Sequence, residues 1–149
     1  MSRTFTNLLT HMVFSTKDRE PLIVPEVKPE LLRYLGGLAG KLKGKAYGIN
    51  GTEDHVHMLV SLPPVVSISE ALRFIKSNSS GWVHGKWPKR PFAWQLGYGA
   101  FSVSKSNVPA VLKYIANQEA HHRKWTFKDE FLDLLRKHEI DYDERYIWE

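Results

Sequence analysis

The order in which the hydrophobic period changes along the chain constrains its fold more than any other feature. Residues 5–15 are rich in Thr, Val, Phe, Leu and Met and predict a strand. Residues 29–43 switch to helical spacing, with Leu31, Leu32, Leu35, Leu38 and Leu42 on one side. Two further strands are expected at 46–50 and 56–62, joined by the turn Gly51-Thr52-Glu53-Asp54. Ser67-Ile68-Ser69-Glu70 has the form of a capping box. It opens a second helix with Ile68, Ala71, Leu72 and Ile75 on its apolar side and Trp82 and Val83 continuing it. Residues 92–104 are β-rich but interrupted by Gly97 and Gly99. Asn107 and Pro109 suit the first turn of another helix, and a last short helix is expected to run to His138. The first six elements read βαββαβ. That is the α+β ferredoxin-like, RRM-like layout: one antiparallel sheet with two helices on one face, followed by C-terminal helices. The opposite face of the sheet is expected to lie open to a ligand or another element.

The chain has 149 residues, the size of one domain spanning 1–149. It has no cysteine, which excludes disulfides, thiolate catalysis and Cys-ligated zinc. No apolar run is long enough to span a membrane, and the basic start is not followed by a signal-like apolar region. Cytoplasmic localisation without a membrane partner is the expectation. The net charge is +5, and its distribution says more than its size. Residues 61–113 carry seven Lys/Arg against the single acid Glu70, whereas residues 114–149 carry six basic residues against nine acids. A basic middle beside an acidic tail suits one polyanion-facing surface and one solvated surface, although ordinary surface charge has the same appearance.

Two short motifs carry possible chemistry. In Asp54-His55-Val56-His57, side chains two apart on a strand share a face. His55 and His57 therefore converge while Val56 turns to the core. A rigid imidazole pair suits a divalent cation; a solvated strand face with two histidines is the plain alternative. In Tyr114-Ile115-Ala116-Asn117-Gln118, residues four apart on a helix meet, so Tyr114 and Gln118 fall together beside the stripe Val108, Val111, Leu112 and Ile115. A packed tyrosine next to a surface glutamine would look the same.

Taken together, H-U-H on a strand and Y-x-x-x-Q on a later helix resemble the single-tyrosine HUH transposases of insertion sequences and their REP-associated relatives. The resemblance extends to His11-Met12-Val13-Phe14-Ser15-Thr16-Lys17, to the run from Trp94 to Ser104, and to Tyr142-Asp143-Glu144-Arg145-Tyr146-Ile147-Trp148. It implies a DNA transposase that cleaves and rejoins single-stranded or hairpin DNA in a bacterial or archaeal cytoplasm. It also implies roles. Tyr114 is the nucleophile and forms a 5′-phosphotyrosine; His55, His57 and Gln118 ligate Mg²⁺ or Mn²⁺. The covalent link conserves the phosphodiester energy, so no nucleotide cofactor is expected. A homodimer with trans active sites is implied as well, in which the tyrosine helix of one copy serves the histidine pair of the other.

The proton acceptor for Tyr114 stays open at this level. His121 lies on nearly the same helix face and is one candidate, while His122 is expected to point elsewhere. His11 reads equally as a core histidine. Asp54 reads as a turn residue or as a group orienting an imidazole. For DNA contacts the sequence offers Lys17 and Arg19 after the first strand and Lys105 before the tyrosine helix. It also offers Arg73, Lys76 and Ser80, with Ser77 and His84, on the polar side of the second helix. Three other readings compete: a domesticated relative that binds its hairpin without moving, a non-enzymatic single-strand-binding module of RRM type, and a metal-dependent hydrolase of small phosphoesters.

Overall fold

The computed structural model describes residues 3–149. The sheet is built from β1 (Leu9–Ser15), β2 (Lys45–Gly51), β3 (His55–Ser61) and β4 (Gly99–Ser102). Helix α1 (Lys28–Lys41) joins β1 to β2, and α2 (Ile68–Lys86) joins β3 to β4. The strand order is β2-β3-β1-β4 and every pairing is antiparallel. The βαββαβ expectation therefore holds, with β1 and β3 in the centre.

The period-2 pattern of β1 and β3 divides their side chains between two layers. Met12 and Phe14 on β1, and Val56, Met58 and Val60 on β3, face α1 and α2. There they pack with Leu31, Leu35, Leu38, Leu72 and Ile75 in the main core. Ser67 opens α2 as expected, its Oγ accepting the Glu70 amide at 3.1 Å. Helix α1 comes close to β2 at Gly36, where an added Cβ would stand 3.3 Å from Ile49.

The other face is taken by other elements of the chain rather than left to a ligand. Helices α3 (Val108–Ala116), α4 (Gln118–His121) and α5 (Phe127–Lys137) lie over it. Its apolar residues explain the cover. Leu9 and Leu59 pack against Val108 and Ile115, while Val13 and Phe101 pack against Phe127 and Leu135 and are joined by Ile147 and Trp148 from the tail. Both faces of the two central strands are therefore buried, and the near-continuous apolar runs in β1 and β3 follow from that.

Three boundaries move. The first strand begins at Leu9, and Phe5 is 90% exposed. The β-rich stretch 92–104 yields only the four residues of β4, plus an isolated bridge from Thr16 to Trp94. Gly97 sits at φ +85, and Lys76 Nζ donates to the carbonyls of Gln95 and Gly97 at 2.6 and 2.7 Å. Those carbonyls are then taken up by a side chain rather than by a strand ladder. Asn107 makes no side-chain cap, and a 3₁₀ turn over Lys105–Asn107 leads into α3 instead.

The β2–β3 turn sets the start of β3 and depends on one glycine. A Cβ on Gly51 would lie 2.1 Å from the His55 carbonyl oxygen and 3.0 Å from Val56 Cα, both backbone atoms that have little room to yield. Gly51→Ala should lower unfolding free energy by at least about 1–3 kcal/mol, the usual cost of overpacking. Urea denaturation checks this, and an unchanged midpoint would refute the close approach.

Candidate active site

The centre of the second layer is polar. His55 and His57 are fully buried, as are Gln118 and, at 1% exposure, Glu130. Strand β3 supplies the two histidines two residues apart, on the face opposite Val56 and Met58, as the alternation requires. They are not on a solvated face, because α3–α5 roof them. Glu130 comes from α5, whose start is capped by Thr126 Oγ1 accepting the Asp129 amide at 3.2 Å. His122 follows α4 and completes the group: one ligand-type atom from each of His55, His57, His122 and Glu130 lies within 4.8 Å of all the others.

The hydrogen bonds converge on one carboxylate. Glu130 Oε1 lies 3.0 Å from His57 Nε2, 3.0 Å from His122 Nε2 and 3.3 Å from His55 Nε2. Glu130 Oε2 accepts from the Tyr114 hydroxyl and, at 3.1 Å, from Gln118 Nε2. Gln118 Oε1 stands 2.9 Å from His55 Nε2. Tyr114 and Gln118 therefore meet as their spacing predicts, although their helix is not continuous. It breaks at Asn117, and Asn50 Nδ2 from β2 donates to the Ile115 and Ala116 carbonyls at 3.0 and 3.2 Å. These carbonyls lie at a helix end, where a side-chain donor is needed.

Electrostatics follow from this arrangement. Burial pushes the Glu130 carboxyl toward the neutral form. The bonds from His122, His55 and His57 outweigh it and hold the group far below the ordinary carboxylate range. Burial lowers His55, but hydrogen bonds to Asp54 and Glu130 prevail and raise its pKa to about 9. For His57 burial prevails, with Glu130 opposing it, and the pKa falls to about 4. Burial beside His57 takes His11 to about 3. Tyr114 is raised above the usual phenol value by burial and then by the adjacent Glu130 carboxylate, so the hydroxyl keeps its proton and hydrogen-bonds Glu130 through it.

Neighbours fix the outer ring nitrogens. Asp54 Oδ1 lies 2.7 Å from His55 Nδ1, and it also accepts from Thr52 Oγ1 at 3.0 Å. Asp54 therefore both shapes the turn and orients the imidazole. His11 Nε2 lies 2.8 Å from His57 Nδ1, which places that buried histidine behind the pair. His121 lies beside Tyr114 with ring centroids 5.4 Å apart, and its Nε2 is buried without a hydrogen-bond partner, 3.5 Å from Glu130 Oε2.

Two residues of the cluster were not among the sequence candidates. His122 was expected to point elsewhere and instead turns into the site, because the chain reverses after α4 and its Nδ1 bonds the Trp125 carbonyl at 2.8 Å. Glu130 left one trace in the sequence. It stands in the apolar stripe of α5, between Phe127 and Leu134, where an acid is out of pattern.

The proposed DNA-contact residues scatter. Lys17 and Arg19 follow β1 at the end of the sheet where Thr16 N bonds the Asp54 carbonyl at 2.8 Å, and Arg19 lies over the Trp148 ring at 5.1 Å. Lys105 is exposed just before α3. Arg73, Lys76 and Ser80 sit on α2, on the opposite side of the sheet from the cluster. Lys76 is held by backbone carbonyls, and His84 Nε2 bonds the Phe92 carbonyl at 2.7 Å. The aromatic residues Phe92, Trp94 and Phe101 are core residues and present no ring for base stacking. An open groove of about 530 Å³ does reach Tyr114 from outside, bounded by Lys113, Asn117, His121, Lys124 and the exposed Trp125.

The family model described as "Transposase IS200 like" matches residues 4–118. The chain belongs to the IS200-like transposase family. The Salmonella typhimurium protein named "Transposase for insertion sequence element IS200" is 31% identical over 129 residues, covering 79% of this chain and 81% of the relative. A Salmonella typhi protein of the same name matches equally. Among solved structures, a transposase candidate of Deinococcus radiodurans is similar with a TM-score of 0.64 and 25% identity, covering 79% of this chain and 96% of the other. A REP-associated tyrosine transposase, solved bound to a REP hairpin, shares the fold at a TM-score of 0.58 and 15% identity, covering 85% of this chain and 74% of its own. The IS200-like match ends at Gln118, so His122 and Glu130 lie beyond the matched segment.

Full burial of the pair alters what an alanine there does. His57→Ala would leave Glu130 without one of its three imidazole partners and empty a packed position. Stability should fall by about 1–3 kcal/mol, the usual cost of stranding a buried polar group. A lowered urea midpoint in circular dichroism is the expected result, and wild-type stability would show that the site is looser than described.

Proposed function

We propose that this IS200-like transposase cuts and rejoins single-stranded DNA, with Tyr114 as nucleophile beside a Mg²⁺ or Mn²⁺ ion held by His55, His57 and Gln118. The observation that carries the reading is the meeting of the Tyr114 hydroxyl with the buried His55–His57–Gln118 group, joined through Glu130. The donor set fits a divalent cation. Imidazole nitrogens and an amide oxygen converge from rigid elements, and the His55 and His57 Nδ1 atoms are already hydrogen-bonded to other side chains. When bound, the ion supplies Lewis-acid polarisation of the scissile phosphate.

The chain's own residues do the rest. The core holds Tyr114 so that its oxygen faces the cluster, while Glu130 orients the O–H. Attack forms a Tyr114 O–P bond and breaks the bond to the 3′-oxygen, which leaves as a hydroxyl. Reversal by another 3′-hydroxyl rejoins the strand. Lys113, Lys124 and Trp125 around the groove suit a phosphodiester backbone with an unpaired base. The REP-hairpin complex of a fold relative supports hairpin-flanking DNA as the substrate here. An RRM-type binding module is disfavoured, because the sheet face that would stack bases is covered by α3–α5.

Labelled single-stranded oligonucleotide with Mn²⁺ should give a covalent protein–DNA adduct, while a perfect duplex gives little. Tyr114→Phe should remove the adduct entirely and leave DNA affinity within about twofold, since only a hydroxyl is lost. An adduct that survives in the Phe variant assigns the nucleophile elsewhere.

The homodimer with trans sites is part of the proposal. An exposed connector, Ser104–Asn107, leads into α3. Exchange of α3–α5 between copies would re-form the same contacts across an interface, at little enthalpic cost. Mixing Tyr114→Phe with His55→Ala proteins under subunit exchange should restore adduct formation if sites are trans. Heterodimers that stay inactive would place Tyr114 and the histidines of each site on one chain.

A further inference from the structure

The His122–Glu130 pair extends the site beyond the residues used above. Three imidazole Nε2 atoms, from His55, His57 and His122, point at one carboxylate oxygen over 3.0–3.3 Å. Each of the three has its other ring nitrogen anchored: His55 Nδ1 to Asp54, His57 Nδ1 to His11, and His122 Nδ1 to the Trp125 carbonyl at 2.8 Å. Anchoring of one nitrogen so that the other faces inward is the arrangement of metal-ligating histidines. Donors around one ion, each at roughly 2.0–2.2 Å, stand about 3–4 Å apart, and these four atoms all lie within 4.8 Å of one another.

We propose that His122 and Glu130 complete the metal site. One divalent ion is then held by the Nε2 atoms of His55, His57 and His122, by the Gln118 amide oxygen and by Glu130, whose second oxygen ties the Tyr114 hydroxyl to the same centre. This deepens the phosphotyrosine reading and rests on it for the role of Tyr114. Gln118 keeps its place in the shell, its amide oxygen 2.9 Å from His55 Nε2 and its amide nitrogen donating to Glu130 at 3.1 Å. The donor set carries a consequence for ion choice. Mg²⁺ prefers oxygen ligands and retains its waters, whereas three imidazoles with one carboxylate favour Mn²⁺, Zn²⁺ and their neighbours. A two-histidine, one-amide site has no such bias to the same degree. The inference also gives α5 a function, since it brings Glu130 to a site that otherwise draws only on β3, α3 and α4.

The test uses the full chain with Mn²⁺, Mg²⁺ and no DNA. Calorimetry should show Mn²⁺ binding at least about tenfold tighter than Mg²⁺. Pulsed electron paramagnetic resonance on bound Mn²⁺ should count three coordinated imidazoles in the wild type and two in His122→Ala. Glu130→Gln should weaken Mn²⁺ binding by at least about tenfold. His122 lies at the rim of the site, so its variant carries the test if the Glu130 variant does not fold, as judged by circular dichroism. Two imidazoles in the wild type, unchanged in His122→Ala, would overturn the inference. The adduct assay separates the two readings. An adduct with a two-imidazole centre defeats this inference and leaves the nucleophile standing; a three-imidazole centre without any adduct defeats the phosphotyrosine reading and leaves the metal site.

Discussion

A carboxylate buried among imidazoles organises the second layer of this domain. Removing a charge from water is costly unless partners replace the solvent, and Glu130 is 1% exposed. Its partners come from three places in the chain: the His55–His57 pair on β3, Tyr114 with Gln118 around the α3–α4 break, and His122 after α4. Each of these elements must be in place for the carboxylate to be satisfied. The polar centre therefore specifies how α3, α4 and α5 sit on the sheet. The surrounding apolar contacts of Leu9, Leu59, Val13 and Phe101 supply the area that holds them there.

The same arrangement distributes charge unevenly among chemically similar groups. His55 is bracketed by Asp54 and Glu130 and is the cationic member, whereas His57 and His11 are neutral because burial dominates. The His55 imidazolium offsets only one of the two carboxylates, Asp54 and Glu130, that flank it. A neutral His57 keeps a lone pair on one ring nitrogen. His57 Nε2 donates to the Glu130 carboxylate, so that lone pair stands on Nδ1 and accepts from His11 Nε2.

Much of this was legible in the sequence, for identifiable reasons. The βαββαβ order rests on long periodic segments, and the convergence of His55 with His57 needs only the pleat of a strand. The meeting of Tyr114 with Gln118 needs only a helical turn, and it survives the break at Asn117 because Asn50 holds the loose carbonyls. What stayed hidden depends on tertiary packing. A sequence cannot show that the far face of the sheet is roofed, since the roof is amphipathic helix that would look the same on a free surface. His122 depends on a chain reversal after α4. Lys76 reads as a phosphate contact until the carbonyls of Gln95 and Gly97 are found beneath it. Glu130 offered one clue, an acid within an apolar stripe, but the pattern does not say what it would face.

Strand β3 serves both layers along its length. Val56, Met58 and Val60 belong to one core, and His55, His57 and Leu59 to the other. A shift of one residue in its pairing would exchange the two sets and drive imidazoles into hydrocarbon and valines against the carboxylate. Neither layer tolerates that, so each guards the register of the other. Sequence drift in such a domain should accumulate in the helices and connectors, while a single insertion within residues 54–60 would be lethal to fold and chemistry at once.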